Sequence, residues 1–153
     1  MSAASEGPNQ GKLQRVGLVV LMAANASVGF WAQLFPRSFY DDFQGMGRTW
    51  VALDGPFNEH LVRDVLGDGA RPLAVVAGSA LLFHSPLRGR VAGAAALVYG
   101  LPHLLYHATH LDALDALDTD AVAMLVSLTP NIIAATLALA PAPTPGSILL
   151  GKG

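Results

Sequence analysis

The sequence predicts an all-α protein, a four-helix transmembrane bundle with a long polar loop between helices one and two. Charged residues make up only 13% of the 153 residues, about half of the roughly 25% usual in soluble domains. Hydrophobic residues make up 52% and are gathered into four long blocks. The connections between the blocks differ sharply in charge, as the connections of membrane proteins do. We therefore expect lipid, not water, to surround the helices.

The first apolar block, residues 16–35, carries no formal charge and follows Lys12 and Arg15. Twenty helical residues extend for about 30 Å, which is enough to cross the hydrocarbon core of a bilayer. A cleaved signal peptide is the alternative, because basic residues precede a hydrophobic run that ends near residues 24–26. The run continues to Trp31 and Phe35, beyond an ordinary signal core. We therefore favour a retained transmembrane helix.

Three further blocks, residues 72–87, 91–107 and 121–140, supply helices two to four of the predicted bundle. The third and fourth blocks contain no Asp, Glu, Lys or Arg. The second block is short unless its helix begins upstream, in the segment that starts at Asn58. Two glycines around Asp68 are a candidate break in that longer helix, so the sequence leaves its continuity open.

Small residues recur within the blocks, for example at Gly29, Gly78 and Gly93. In lipid, helices associate through close backbone approach, and small residues at their interfaces permit it. The pattern is typical of a tight bundle, although the general abundance of Ala and Gly explains it equally well.

The charges of the connections predict the orientation. Short loops rich in Lys and Arg stay in the cytoplasm. The link between blocks two and three holds Arg88 and Arg90 and no acid, whereas the next link holds four aspartates and no base: Asp112, Asp115, Asp118 and Asp120. We therefore expect a multi-pass protein of the cell membrane with both termini in the cytoplasm. Residues 12–141 form its membrane domain, between a disordered tail (1–11) and a flexible tail (142–153).

Composition also excludes several classes of function. The net charge is −2 and no basic stripe is present, so nucleic acid is not an expected partner. The chain has no cysteine, which excludes disulfides, thiolate metal sites and cysteine nucleophiles. The expected partner is the lipid bilayer, and a homo-oligomer or a membrane partner subunit stays open.

Three histidines form the most specific pattern. His103, His107 and His110 have the spacing i, i+4 and i+7, which places them within an arc of about 60° on a helix. Tyr99 lies on the same stripe and Tyr106 beside it. In the predicted orientation, this stripe rises to the outer end of its helix.

A second polar cluster lies in the long loop, on the same predicted side of the membrane. On a helix that starts near Asn58, Glu59 pairs with Arg63 and His60 pairs with Asp64, each at i, i+4. Two clusters from separate segments at one face are candidates for a single site.

Three interpretations of these residues stay open. In the first, a transition metal or haem is bound by imidazole and carboxylate groups from His103, His107, His110, His60 and Glu59. In the second, a non-catalytic module holds a lipid-like molecule or a partner subunit, and its candidate residues are Trp50, Asp54, Asn58, Arg63, Asp64, Tyr99 and Tyr106. In the third, these are ordinary interfacial side chains and helix-stabilising pairs. No HExxH motif or nucleophile elbow is present, so the sequence assigns no reaction and leaves enzymatic activity uncertain.

The long loop carries a resemblance. It contains Trp50-Val51, then residues 54–60 (DGPFNEH), then Arg63-Asp64, with Phe39-Tyr40 and Gly45 upstream. In these residues the chain resembles small bacterial membrane proteins of the DoxX-like kind, in particular an uncharacterised branch with a W-V…G-P-[YF]-N-E-H…R-D signature. The resemblance covers residues 12–141 and implies a four-helix membrane protein. It supplies no settled activity and no catalytic residues.

Overall fold

The computed structural model describes residues 11–53, 55–111 and 119–141, and most of them are helical. The two predicted tails, apart from Gly11, lie outside the described residues, as do Asp54 and most of the acidic link. The elements in chain order are α1 (Lys12–Leu34), α2 (Pro36–Asp42), β1 (Gln44–Gly45), β2 (Arg48–Thr49), α3 (Trp50–Leu53), α4 (Glu59–Leu82), α5 (Pro86–Thr109) and α6 (Thr119–Ala138).

Three of the four long helices, α1, α4 and α6, are long and apolar enough to cross a membrane. The prediction of a mostly helical chain with membrane-length apolar helices is therefore confirmed. Helix α5 is as long but less apolar, because its second half carries the tyrosines and histidines of the predicted stripe. Its lysine and arginine content is confined to Arg88 and Arg90 in the first two turns.

The second long helix is continuous with the segment that starts at Asn58, so much of the predicted loop is helix. The Asn58 side chain caps its start by accepting a hydrogen bond from the Leu61 N–H at 3.1 Å. The stretch Val62–Gly67 is a π-helix, and α-helical geometry resumes at Asp68. The glycines around Asp68 therefore do not end the helix, which passes through a wider π-helical turn just before Asp68.

The rest of the predicted loop folds into a compact unit, residues 36–53, which we call the cap. Helix α2 begins with Pro36 immediately after α1 ends. A two-stranded antiparallel hairpin follows, whose tip needs positive φ at Gly45, Met46 and Gly47. Short helix α3 then leads towards α4. The all-α prediction omitted this small hairpin, because strands of two residues leave no alternating pattern.

The long helices contact one another in a ring, in which α1 and α5 each pack along α4 and α6. At the end opposite the cap the contacts are close. A Cβ on Gly17 would lie 2.5 Å from the Ala134 carbonyl oxygen of α6, and one on Gly93 would lie 2.6 Å from that of Ala135. The fully buried Gln14 of α1 donates from Nε2 to the carbonyl oxygens of Ala138 (2.9 Å) and Pro86 (3.0 Å). Small residues and one amide thus draw three helices together at this end.

The outer faces of the long helices are apolar as well as the core. Large hydrophobic side chains are half or more exposed on every long helix, among them Val19, Phe30, Val75, Val98 and Val126. Soluble monomers rarely expose apolar surface on this scale, because water solvates it poorly. The exposed apolar belt and the three membrane-length helices indicate membrane localisation.

Candidate functional site

A cavity of about 420 Å³ opens between the helices at the cap end. Its side walls come from the second half of α1, the second half of α5 and the first half of α6, and the cap covers it. Leu66 and Ala70 of α4 complete the lining. The ring of helices is closely packed around Gln14 and wider here, and this volume lies within the range of small-molecule sites.

Five aromatic side chains line the cavity. Trp31 of α1 contacts Phe39 edge-on at 5.5 Å between ring centroids, and Phe39 stacks on Phe43 at 4.6 Å. Trp50 of α3 and Tyr99 of α5 also line the cavity. Both tryptophans of the chain therefore line the same cavity.

A pair of asparagines forms the deep end. The Asn25 side chain of α1 donates to the Asn131 side-chain oxygen of α6 at 3.0 Å, and also to the Leu21 carbonyl oxygen at 2.9 Å. Asn25 is buried and both amides line the cavity, near the middle of their helices. A polar pair at this depth is costly to leave unsatisfied in an apolar surrounding, so it marks a specific contact between α1 and α6.

Hydrogen-bonding groups also lie at the cap end of the cavity. His103 and His107, one turn apart on α5, have ring centroids 4.7 Å apart, and Tyr99 stacks on His103 at 5.6 Å. The indole Nε1 of the buried Trp50 has no hydrogen-bond acceptor among the described residues. This nitrogen exposes almost no surface, and the Oε1 atoms of Gln14 and Gln33, which do not line the cavity, lack a described partner in the same way. A buried donor without an acceptor is costly, so the packing of the Trp50 ring must offset that cost.

The predicted histidine stripe is divided by the structure. His103, His107 and Tyr99 line the cavity, as does Trp50 of the predicted set. His110 is exposed at the end of α5, where its Nδ1 lies 2.9 Å from the Tyr106 carbonyl oxygen and its ring stacks on Tyr106 at 4.3 Å. Neighbouring rings of the stripe contact one another from Tyr99 to His110, but Tyr106 and His110 do not line the cavity.

The predicted loop cluster does not line the cavity either. His60 is largely exposed and lies 3.1 Å from Asp64, while Glu59 lies 2.9 Å from Arg63. Arg63 also donates to the Gln33 carbonyl oxygen at the end of α1, so it ties α4 to α1. Asn58 serves as the helix cap described above, and Asp54 lies outside the described residues.

No group of three or more His, Asp or Glu side chains in the described ranges is arranged to hold a metal ion. Of the five predicted ligands, the structure brings together His103 and His107. The other three, His110, His60 and Glu59, point their polar groups to neighbours on their own helices. The metal or haem site stays a prediction. The five side chains on which it was based do not meet at one point in the structure.

Sequence reasoning missed most of the described cavity lining. Asn25, Asn131 and Ser127 lie in uncharged spans, where a polar side chain is itself a signal of function. The aromatic residues Trp31, Phe39 and Phe43 gave no comparable signal, because aromatic residues near a helix end are ordinary interfacial anchors.

The chemistry of the lining restricts what the cavity can accept. The described lining residues include no Asp, Glu, Lys or Arg. An ionic ligand would therefore lose its hydration without gaining a counter-charge from a described acid or base, which costs on the order of several kcal/mol. The cavity suits an uncharged molecule with an apolar or aromatic body and hydrogen-bonding groups.

Comparison of the chain with protein-family models, with curated proteins and with solved structures found no match. The resemblance of the loop to DoxX-like proteins therefore stays a prediction.

Proposed function

We propose that this chain is an integral membrane protein of four transmembrane helices that binds an uncharged amphiphilic small molecule in the cavity beneath its cap. The observation that carries the proposal is the cavity lining itself, with five aromatic side chains, hydrogen-bonding groups at both ends and no described charge. The fourth membrane crossing, by α5, is supported by its length and by its packing against α4 and α6. The site faces the outer side in the proposed orientation, and binding requires no catalysis.

The test uses the two cavity tryptophans as reporters in the full chain, purified in detergent. The probe is a long-chain alkylphenol with bromine on its chain, because bromine quenches tryptophan emission on contact. The comparison probe is the alkylbenzoate of the same length, which is an anion. We expect saturable quenching by the phenol and at least about 100-fold weaker binding of the benzoate, because the described lining carries no Lys or Arg to pair with the carboxylate.

Matched substitutions on α6 locate the binding. Ser127 lines the cavity and its hydroxyl bonds back to the Met124 carbonyl oxygen, so Ser127→Phe fills the space. Thr129 makes the same kind of bond, to Leu125, but is exposed on the outer face. Thr129→Phe is therefore the control. Loss of quenching in Ser127→Phe alone supports the proposal. Quenching that is equal in the two variants, or equal binding of phenol and benzoate, overturns it.

A metal centre is the second candidate, favoured by one observation, the 4.7 Å separation of the His103 and His107 rings. Two imidazoles leave a transition metal short of its usual coordination, and among the described residues no third His, Asp or Glu joins them. The measurement is metal content per chain after supplementation with zinc, copper, iron and haem. Stoichiometric metal that disappears in His103→Ala and in His107→Ala, but not in His60→Ala, would select this candidate.

A further inference from the structure

The cations of the two ends of the molecule differ in their partners. At the cap end, every described arginine forms an ion pair with a carboxylate: Arg37 with Asp41, Arg48 with Asp120, Arg63 with Glu59 and Arg71 with Asp68. At the opposite end, no described carboxylate pairs with any of the four cations, Lys12, Arg15, Arg88 and Arg90. We call these four residues the basic end.

The four cations of the basic end come from two distant segments of the chain that lie against each other in the structure. Gln14, between Lys12 and Arg15, donates to the Pro86 carbonyl oxygen at 3.0 Å. A Cβ on Gly89, between the two arginines, would lie 2.7 Å from Gln14 Nε2. The starts of α1 and α5 therefore lie against each other, and all four cations are exposed.

Exposed apolar side chains lie among and beside the four cations. Leu13 and Val16 of α1 and Leu87 and Val91 of α5 are all more than half exposed. The Arg88 guanidinium lies 4.4 Å from the ring centroid of Phe83, which is also exposed and holds the cation in place. Cations directly beside exposed apolar surface match the boundary of headgroup phosphates and acyl chains in a bilayer.

We infer that the basic end binds the phosphate headgroups of anionic phospholipids in the membrane leaflet that it faces. The four cations, which pair with no described carboxylate, supply the charge, and the adjacent apolar side chains supply contacts for the acyl chains. This inference goes beyond the proposed cavity function, since it concerns the other end of the molecule and a charged ligand. Each cation near an anionic surface strengthens attraction about fivefold, so removal of Arg88 and Arg90 together should weaken it roughly 30-fold.

The test measures lipid bound per chain by native mass spectrometry, with the full-length protein in detergent titrated with phosphatidylglycerol or phosphatidylcholine. We expect preferential binding of phosphatidylglycerol, about fivefold weaker in Arg90→Gln and roughly 30-fold weaker in the double variant with Arg88→Gln. Arg37→Gln removes an exposed cation that is already paired with Asp41 at the cap end, so it is the matched control and should change binding less than about twofold.

Three outcomes would overturn the inference. They are equal binding of the two lipids, equal losses in Arg90→Gln and Arg37→Gln, and equal affinity for soluble glycerol phosphate, which would indicate a phosphate site without a lipid. Arg90 is exposed and unpaired with any described acid, so its substitution leaves folding intact. Alkylphenol quenching in the same variants separates this result from the cavity proposal, because a loss at the basic end leaves cavity binding unchanged.

Discussion

Trp50 lies at the contact between the cap and α6 and also lines the cavity. Its ring packs against Ala121 and Met124 of α6, and the Arg48 guanidinium lies over it at 5.6 Å while pairing with Asp120. The cap is thus fastened to α6 through this tryptophan. Its indole N–H has no described acceptor, so the packing of the ring offsets a polar cost.

Trp50→Phe separates the ring from the N–H. Without ligand, we expect its unfolding free energy to stay within about 1 kcal/mol of wild type, because relief of an unpaired buried donor offsets the lost ring volume. Affinity for the alkylphenol should stay within about twofold of wild type, because the indole N–H exposes almost no surface to a ligand. Thermal unfolding and native mass spectrometry measure the two quantities. Trp50→Ala is the control and should lose about 3–5 kcal/mol. A Phe variant as unstable as the Ala variant would show that the N–H is paired in the protein.

The two ion pairs at the start of α4 had equal standing in the sequence, and the structure distinguishes them. The His60 and Asp64 side chains are exposed, so this pair contributes little. Arg63 is only about one-third exposed and also donates to the Gln33 carbonyl oxygen. The difference arises from a contact with α1 that no local spacing could reveal.

Arg63→Ala should therefore destabilise the protein by about 1–3 kcal/mol, because the Gln33 carbonyl loses its donor and α4 loses a tie to α1. His60→Ala should change stability by less than about 0.5 kcal/mol. Thermal unfolding of the two variants in the same detergent measures the contrast. Equal, negligible shifts would mean that Arg63 is as unimportant as an exposed helical pair.

At the scale of elements, the long apolar helices were predictable and their connections were not. Uncharged blocks of about twenty residues fix α1 and α6, because lipid requires apolar side chains over that length. The continuity of α4 was not decidable from Gly67 and Gly69, since glycine can either break a helix or permit close packing. The structure shows the second use at Gly67, where a Cβ would lie 2.5 Å from the Gln33 Oε1 atom.

Glycines in the long helices should fall into two classes. Gly17→Ala places a methyl group against the backbone of α6, at 2.5 Å from the Ala134 oxygen, so we expect a loss of about 1–3 kcal/mol or more. Gly78→Ala meets the flexible Met22 sulfur at 3.3 Å, and the gain in helix propensity is about 1 kcal/mol. We expect the second variant to be neutral or stabilised in thermal unfolding. Equal losses in both would contradict the close approach of α1 and α6 at Gly17.

At the scale of the whole molecule, the sequence identified several candidate site residues but not the residues that lie opposite them in the folded protein. Tyr99, His103, His107 and Trp50 were candidates, and the cavity contains all four. Asn25 and Asn131 line the same cavity. They are separated by more than a hundred residues in the chain and meet through the packing of α1 on α6. His103 and His107 line the cavity, whereas His110 is exposed just after α5 ends. The spacing of the histidines along the sequence does not reveal this difference, because it depends on the packing of α5.

The proposed orientation also becomes testable in a sharper form. Over the whole sequence, lysines and arginines are divided almost equally between the two predicted sides. In the described part of the chain, however, the cap-end arginines are paired with acids, and the cations of the basic end are not. Pairing with acids changes the orientation little, because short loops are retained in the cytoplasm by their Lys and Arg, and Asp and Glu contribute little. The orientation therefore rests on Arg88 and Arg90 in a short link, opposite an acidic link without a base.

We expect reporter fusions to place the turn at residues 83–85 in the cytoplasm and the acidic link at residues 112–118 outside. Alkaline phosphatase is active only outside and a fluorescent protein matures inside, so the two reporters should give opposite patterns at the two positions. A fusion after residue 141 is the control and should report the cytoplasm, because α6 returns the chain across the membrane. Reversal of both positions would keep the four crossings but invert the molecule. If both positions lay on one side, α5 would not cross, and the four-helix transmembrane arrangement would be wrong.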